Sequence, residues 1–300
     1  MVKTNKKILS KRARKNIFIL GMLLIPIIHF IIFWVAVNFN SFLLAFQKMD
    51  AKTGQNYFTA DHFLALKINF TNSTLKDALI NTLLTFGFNT LFLLPWGFLL
   101  TYFLYKKIRL SGFWRTMLFV PSILPAIAMT SIFIRLINSA GPIGALWELF
   151  HESPLQLLAE RKTARWTILL FIFWTNFGGQ FILFSGAMSR VPKEVIESAR
   201  LDGAGMWREM LKIVLPLCWP TISVLLLLNL ASIFTATGPI LLLTKGEAGT
   251  KTLSYWIFDL TRMNVLGEPA ALGLVCTLLL FPIILVSRWG LNKVYANVEF

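Results

Sequence analysis

The sequence predicts an all-α integral membrane protein: six transmembrane helices and, on one side, a helix–turn–helix loop. Three observations predict it. The 300 residues are 56% hydrophobic and only 14% charged, against about 25% charged in an average soluble domain. Six runs lack Asp, Glu, Lys and Arg and approach or exceed the ~20 apolar residues that span a bilayer. The basic residues gather between alternate runs, the asymmetry that orients membrane proteins. A soluble core could not hide so much apolar surface, so lipid must solvate part of it.

The runs fall at 17–37, 78–105, 116–134, 166–189, 213–236 and 269–287, behind a basic tail at 1–16. The first run exceeds a typical signal core and no small-residue cleavage site follows it, so it is expected to stay as an anchor. Six crossings put both termini on one side. Eighteen Lys and Arg lie in the N-terminal tail, the 106–115 connection, the 190–212 loop and the C-terminal tail. Ten lie in the longer opposite loops, and Arg135 sits at a span end. The termini and the 190–212 loop are therefore expected in the cytoplasm, and 17–300 reads as one membrane domain. Pro26, Pro95, Pro121, Pro125 and Pro282 sit within runs. In lipid, neighbours re-satisfy the freed carbonyl, so each is either ordinary packing or a kink in a helix that moves.

Several function classes drop out. Net charge is +15, but no continuous basic face forms and the aromatics lie inside the runs, so nucleic acid is not a partner. Cys218 and Cys276 read as small buried hydrophobes. His29, His62 and His151 lack metal-ligand spacing. His29 inside a run is either a site or a packing residue. The runs carry no ionisable cluster for an enzyme and no polar ring for a channel. Residues 246–252 loosely resemble a phosphate loop, but Thr250 separates Gly249 from Lys251. Gly178-Gly179-Gln180 resembles part of an ATPase signature, yet lies in the fourth run. No catalytic residue, cofactor or metal is expected in this chain.

The 190–212 loop is the most informative segment. Pro192 suits a helix start, and Glu194 follows where the helix dipole favours an anion. Val195, Ile196 and Ala199 form an apolar stripe at helical spacing. Leu201-Asp202-Gly203 then breaks the helix, since Asp can cap a new one and Gly can take a positive φ. Ala204 to Val214 resumes helical composition, with Trp207, Leu211 and Val214 on one face. Such a surface helix pair either docks a partner or rests on the membrane interface.

The loop resembles the EAA motif of binding-protein-dependent ABC permeases: Glu197-Ser198-Ala199, three residues, Gly203, nine residues, Ile213-Val214-Leu215-Pro216. Ser198 replaces the middle alanine; Asp202 to Gly205 matches the longer D-G-A-G form. Further matches resemble the maltose-type carbohydrate permeases: Asn81-Thr82, Pro121 with Pro125, Trp174 with Gly178-Gly179, and Thr250 to Ile257. One departure is Lys245-Gly246-Glu247 where that family often has G-G-P after L-T.

The resemblance implies a machine. A second related permease completes the pathway, usually as a heterodimer. Two ATP-binding subunits bind ATP and Mg, and an extracytoplasmic solute-binding protein delivers the sugar or oligosaccharide. A polyol, glycerol phosphate or another small solute is the alternative cargo. The location implied is the bacterial or archaeal cytoplasmic (inner) membrane. The ATPase-coupling residues would be Glu197, Ala199, Asp202, Gly203, Ala204 and Trp207. Glu197 pairs with the ATPase or with Arg200; Asp202 caps a helix or touches the ATPase; Trp207 and Met210 fill the ATPase cleft or pack on the spans. Asn89, Trp174, Asn176, Gln180 and Asn229, with Trp96, line a substrate path or hold helices together. The 38–77 segment is expected outside the cell, where it could touch the binding protein.

Overall fold

The structure, a computed structural model, describes residues 11–50, 54–151 and 154–294. Residues 1–10 of the expected basic tail lie outside that range. Helix α1 covers 11–46, passing through a π turn at Ile31–Val35. A small antiparallel pair, β1 (Gln47–Met49) and β2 (Asn56–Phe58), joins Gln47 to Phe58. Then come α2 (Asp61–Thr71), α3 (Thr74–Tyr105), α4 (Ser111–Ile123), α5 (Ala126–Ile137), α6 (Pro142–Glu148) and α7 (Arg161–Met188). The chain ends with α8 (Lys193–Leu201), α9 (Met206–Leu217), α10 (Trp219–Ala231), α11 (Gly238–Leu243), α12 (Leu253–Arg262) and α13 (Gly267–Val294).

Among the described residues, five helical stretches are long and apolar enough to cross a membrane, and six if the bent pair α9–α10 counts as one. The run at 116–134 is not one helix. Leu124 is extended (φ −69°, ψ 143°) and Pro125 begins a new helix. The proline ring pushes its predecessor out of the helical region, and its missing N–H leaves the ladder open. The apolar length for a crossing is carried instead by α5 with α6, residues 126–148. The fifth run also bends, by 71°, at Cys218, where Pro216 and Pro220 each remove a donor. Its helix stops at Ala231, short of Ala236.

Two π turns have the same local cause. In α3, Leu94 N–H donates to Asn89 O, five residues back, immediately before Pro95. In α9, Leu215 N–H donates to Met210 O, immediately before Pro216. Widening the turn carries the proline ring clear of the carbonyl it would strike in an α-helix.

Among the described residues, three large apolar clusters hold the body together, with a small fourth at Leu104, Phe177 and Phe181. One joins α3 (Phe98, Tyr102), α7 (Phe184, Met188), α8 (Ile196) and the α9–α10 bend (Met210, Val214, Cys218). A second joins α5, α7, α11 and α12 through Phe133, Phe171, Ile240 and Tyr255. A third joins α2, α3, α12 and α13 through Leu66, Ala78, Trp256 and Cys276. Both cysteines are free and buried. Gly178 lets α4 approach α7: a Cβ there would strike Ser122 and Phe119. Residues 17–37 of α1 are exposed along their whole length, while the end of that helix packs on α13 and on α2, where Phe46 meets Phe63.

Candidate functional site

The candidate site is the α8–α9 hairpin and the helix ends that carry it. Pro192 is the N-cap of α8, and Glu194 lies in its first turn. The helix closes with a Schellman turn: Gly203 N–H donates to Arg200 O at 3.0 Å and Ala204 N–H to Ala199 O at 2.9 Å. Gly203 has φ +77°, a conformation that costs a side-chain-bearing residue roughly 1–2 kcal/mol. An added Cβ there would meet nothing within 4 Å. Within this chain, therefore, backbone conformation rather than crowding requires glycine.

Asp202 is the C-cap of α8 and does not cap the next helix; that N-cap is Gly205. The Schellman turn consumes 202–204, so helical backbone resumes only at Met206. Ala199 is buried within the chain, and its carbonyl closes the turn. Ile196 is buried beside it, while Val195 stays exposed. The expected common face of Trp207, Leu211 and Val214 is broken. The π turn Met210–Val214 rotates Met210 and Val214 into the core and leaves Trp207 and Leu211 outside. Met210 thus packs on the spans. Trp207, 56% exposed, meets Phe103 of α3 edge-on, with ring centroids 5.9 Å apart.

The tip therefore presents Glu197, Leu201, Asp202, Gly203, Met206 and Trp207, with Ala204 half-buried. Leu201 is 89% exposed, an apolar residue in open solvent that the sequence reading passed over because it sits between two motif blocks.

Glu209 was also missed. It is nearly fully buried and forms ion pairs with Lys106, at the end of α3, and with Arg200 Nε at 3.3 Å. Arg200 thus turns to Glu209 rather than back to Glu197. Tyr102 Oη donates to Met206 O at 3.2 Å, and the Lys106 ammonium lies 5.5 Å above the Tyr102 ring. A signal existed: Glu209 is the one acidic residue between Asp202 and Glu247, set in a basic stretch.

The candidate path residues divide. Asn89 lies in the π turn of α3, which packs against both α7 and α10. Its Oδ1, Thr90 Oγ1 and Gln180 Oε1 are buried with no hydrogen-bond partner among the described residues, a costly state unless something binds there. Gln180 lies against Gly97, which has no Cβ to obstruct it. Asn176 lines a cleft of about 250 Å³ at the α4–α5 break, with Ser122, Thr175 and Pro239. Asn229 is half-buried on α10. Trp174 packs beside Phe133 at 5.9 Å, a helix-packing role, and exposed Trp96 stacks with Phe92. His29 lies on the exposed part of α1, 4.7 Å from the Phe33 ring.

A family profile described as binding-protein-dependent transport system inner membrane component matches residues 93–297, from the π turn of α3 through the hairpin to the last helix. The chain belongs to this family. The permease is thus a multi-pass inner-membrane component of a transport system that works with a binding protein. A probable ABC transporter permease of Mycoplasma pneumoniae is 36% identical over 42% of this chain and 38% of its own length. The arabinooligosaccharides transport system permease of Bacillus subtilis is 25% identical over 93% of this chain and 88% of its own. A bacterial alginate ABC transporter, solved with its periplasmic protein bound to an alginate pentasaccharide, matches with a TM-score of 0.82. That match is 22% identical and covers 96% of this chain and 98% of the other, a likeness of fold.

Proposed function

We propose that the permease imports a sugar or oligosaccharide by alternating access, driven through the α8–α9 hairpin by a separate ATPase. The observation that carries this is the hairpin itself. Its outer tip leaves Leu201, Met206 and Trp207 in solvent, while its inner side is built into the core shared with α3, α7 and α10. A tip that binds a partner and a base that grips three helices can turn partner motion into helix motion. Glu197, Asp202, Gly203, Ala204 and Trp207 are the coupling residues under this reading, and Ala199 supports the turn. Gly203 leaves the tip open for close approach.

The partners are two ATP-binding subunits, which carry ATP and Mg, a second related permease as a heterodimer, and an extracytoplasmic solute-binding protein. The hairpin and both termini face the cytoplasm, as the Lys and Arg distribution favours. The exposed apolar length of α1 is left to lipid and the second permease. The carbohydrate named for the B. subtilis relative supports the cargo class. The unpaired atoms of Asn89, Thr90 and Gln180 supply polar groups for hydroxyls along the path, and Asn176 and Asn229 add to them.

The test is co-purification of the permease with its ATPase, wild type against Gly203→Asp, followed by binding-protein-stimulated ATP hydrolysis and uptake of labelled sugars. A wild type that assembles and is stimulated, with a variant that fails in either, supports the reading. A wild type that binds no ATPase overturns it.

A further inference from the structure

We infer that Glu209 is the positioning residue through which the hairpin moves α3. The inference rests on the coupling reading of the hairpin and adds the route the motion takes. One carboxylate joins three elements: its own helix α9, α3 through Lys106, and α8 through Arg200 at 3.3 Å. Glu209 has 3% of its side chain exposed, Lys106 15% and Arg200 54%. The Glu209–Lys106 pair is therefore largely withdrawn from water, while Arg200 reaches the rim that faces a docked partner.

This burial makes the link directional. Apolar side chains slide past one another at modest cost, because the hydrophobic effect has no preferred direction. A buried ion pair cannot slide, since parting its members leaves an uncompensated buried charge. The end of α3 is thus bound to follow α9, and α8 follows through the second oxygen of the same carboxylate. The neighbouring contacts keep the register: Tyr102 Oη to Met206 O, and Phe103 against Trp207. Further along, α3 carries the π turn with Asn89 and Thr90, so displacement at Lys106 reaches the unpaired polar groups along one helix.

The experiment uses the whole importer in liposomes, with its ATPases and binding protein, and reads solute taken up per ATP hydrolysed. A merely structural defect lowers uptake and hydrolysis together and leaves that ratio alone. Glu209→Gln preserves shape and removes the charge. It is expected to lower the ratio at least about fivefold, the lower end of typical coupling between sites. Lys106→Gln should do the same, and Lys106→Arg, which keeps the cation, should stay near wild type. A wild-type ratio in Glu209→Gln, or equal loss in Lys106→Arg and Lys106→Gln, overturns the inference. If Glu209→Gln does not reach the membrane, Arg200→Glu decides. Its position is exposed, and an unchanged ratio there overturns the inference equally. Failure of wild type to recruit an ATPase would instead sink the importer reading.

Discussion

Asn81 Nδ2 donates to two carbonyl oxygens, those of Gly249 and Lys251, each at 2.8 Å. Beside it, Thr82 Oγ1 accepts from Leu253 N–H at 2.9 Å. Two short motifs 170 residues apart, Asn81-Thr82 at the start of α3 and the 250–257 segment before α13, are therefore one structural unit. Asn81→Asp keeps the shape but replaces the donor by an anion facing two carbonyls. At ~0.5–1.5 kcal/mol for each lost bond, we expect about 1–3 kcal/mol of destabilisation. Thermal unfolding in detergent checks it; an unchanged midpoint would mean that the segment holds without Asn81.

Gly203 separates two causes that the sequence ran together. Asn tolerates the left-handed region better than Ala. If only the backbone of the Schellman turn matters, Gly203→Asn should couple better than Gly203→Ala. If the ATPase needs an open surface, both should fail, with Asn the worse for its bulk. ATP hydrolysis stimulated by the binding protein distinguishes the two.

Trp207 and Leu201 are exposed, so Trp207→Ala and Leu201→Ala should shift chain stability by less than ~1 kcal/mol. Large exposed apolar groups in a docking surface often dominate its energy. ATPase recruitment should therefore weaken by about tenfold or more in at least one of them. Affinity of the purified permease for its ATPase is the measurement. Wild-type affinity in both variants would remove the tip from the interface.

At the α4–α7 contact, Gly178→Ala should destabilise by about 1–3 kcal/mol through overpacking, because the new Cβ strikes Ser122. Ser122→Gly should recover part of that loss. A double-mutant cycle on thermal stability reads the coupling, and strict additivity would show that the two helices do not meet there.

The sequence by itself determined that this chain lives in a membrane and which loop carries its family motif. Charge-free length is a one-dimensional property, and the spacing from Glu197 to Pro216 is counted along the chain. It also determined the left-handed turn at Gly203, since that conformation is local. Tertiary structure decided the rest. The run at 116–134 splits at Pro125, and the π turns at 88–93 and 210–214 reset which residues face inward, against a constant helical period. Ala199 went inside and Leu201 outside for the same reason: a nine-residue helix has one face against α3, α7 and α9, and only those neighbours say which. Glu209 finds Lys106 across 103 residues of chain. Their pairing is invisible in a sequence because burial, which makes that ion pair matter, is a property of the packed helices alone.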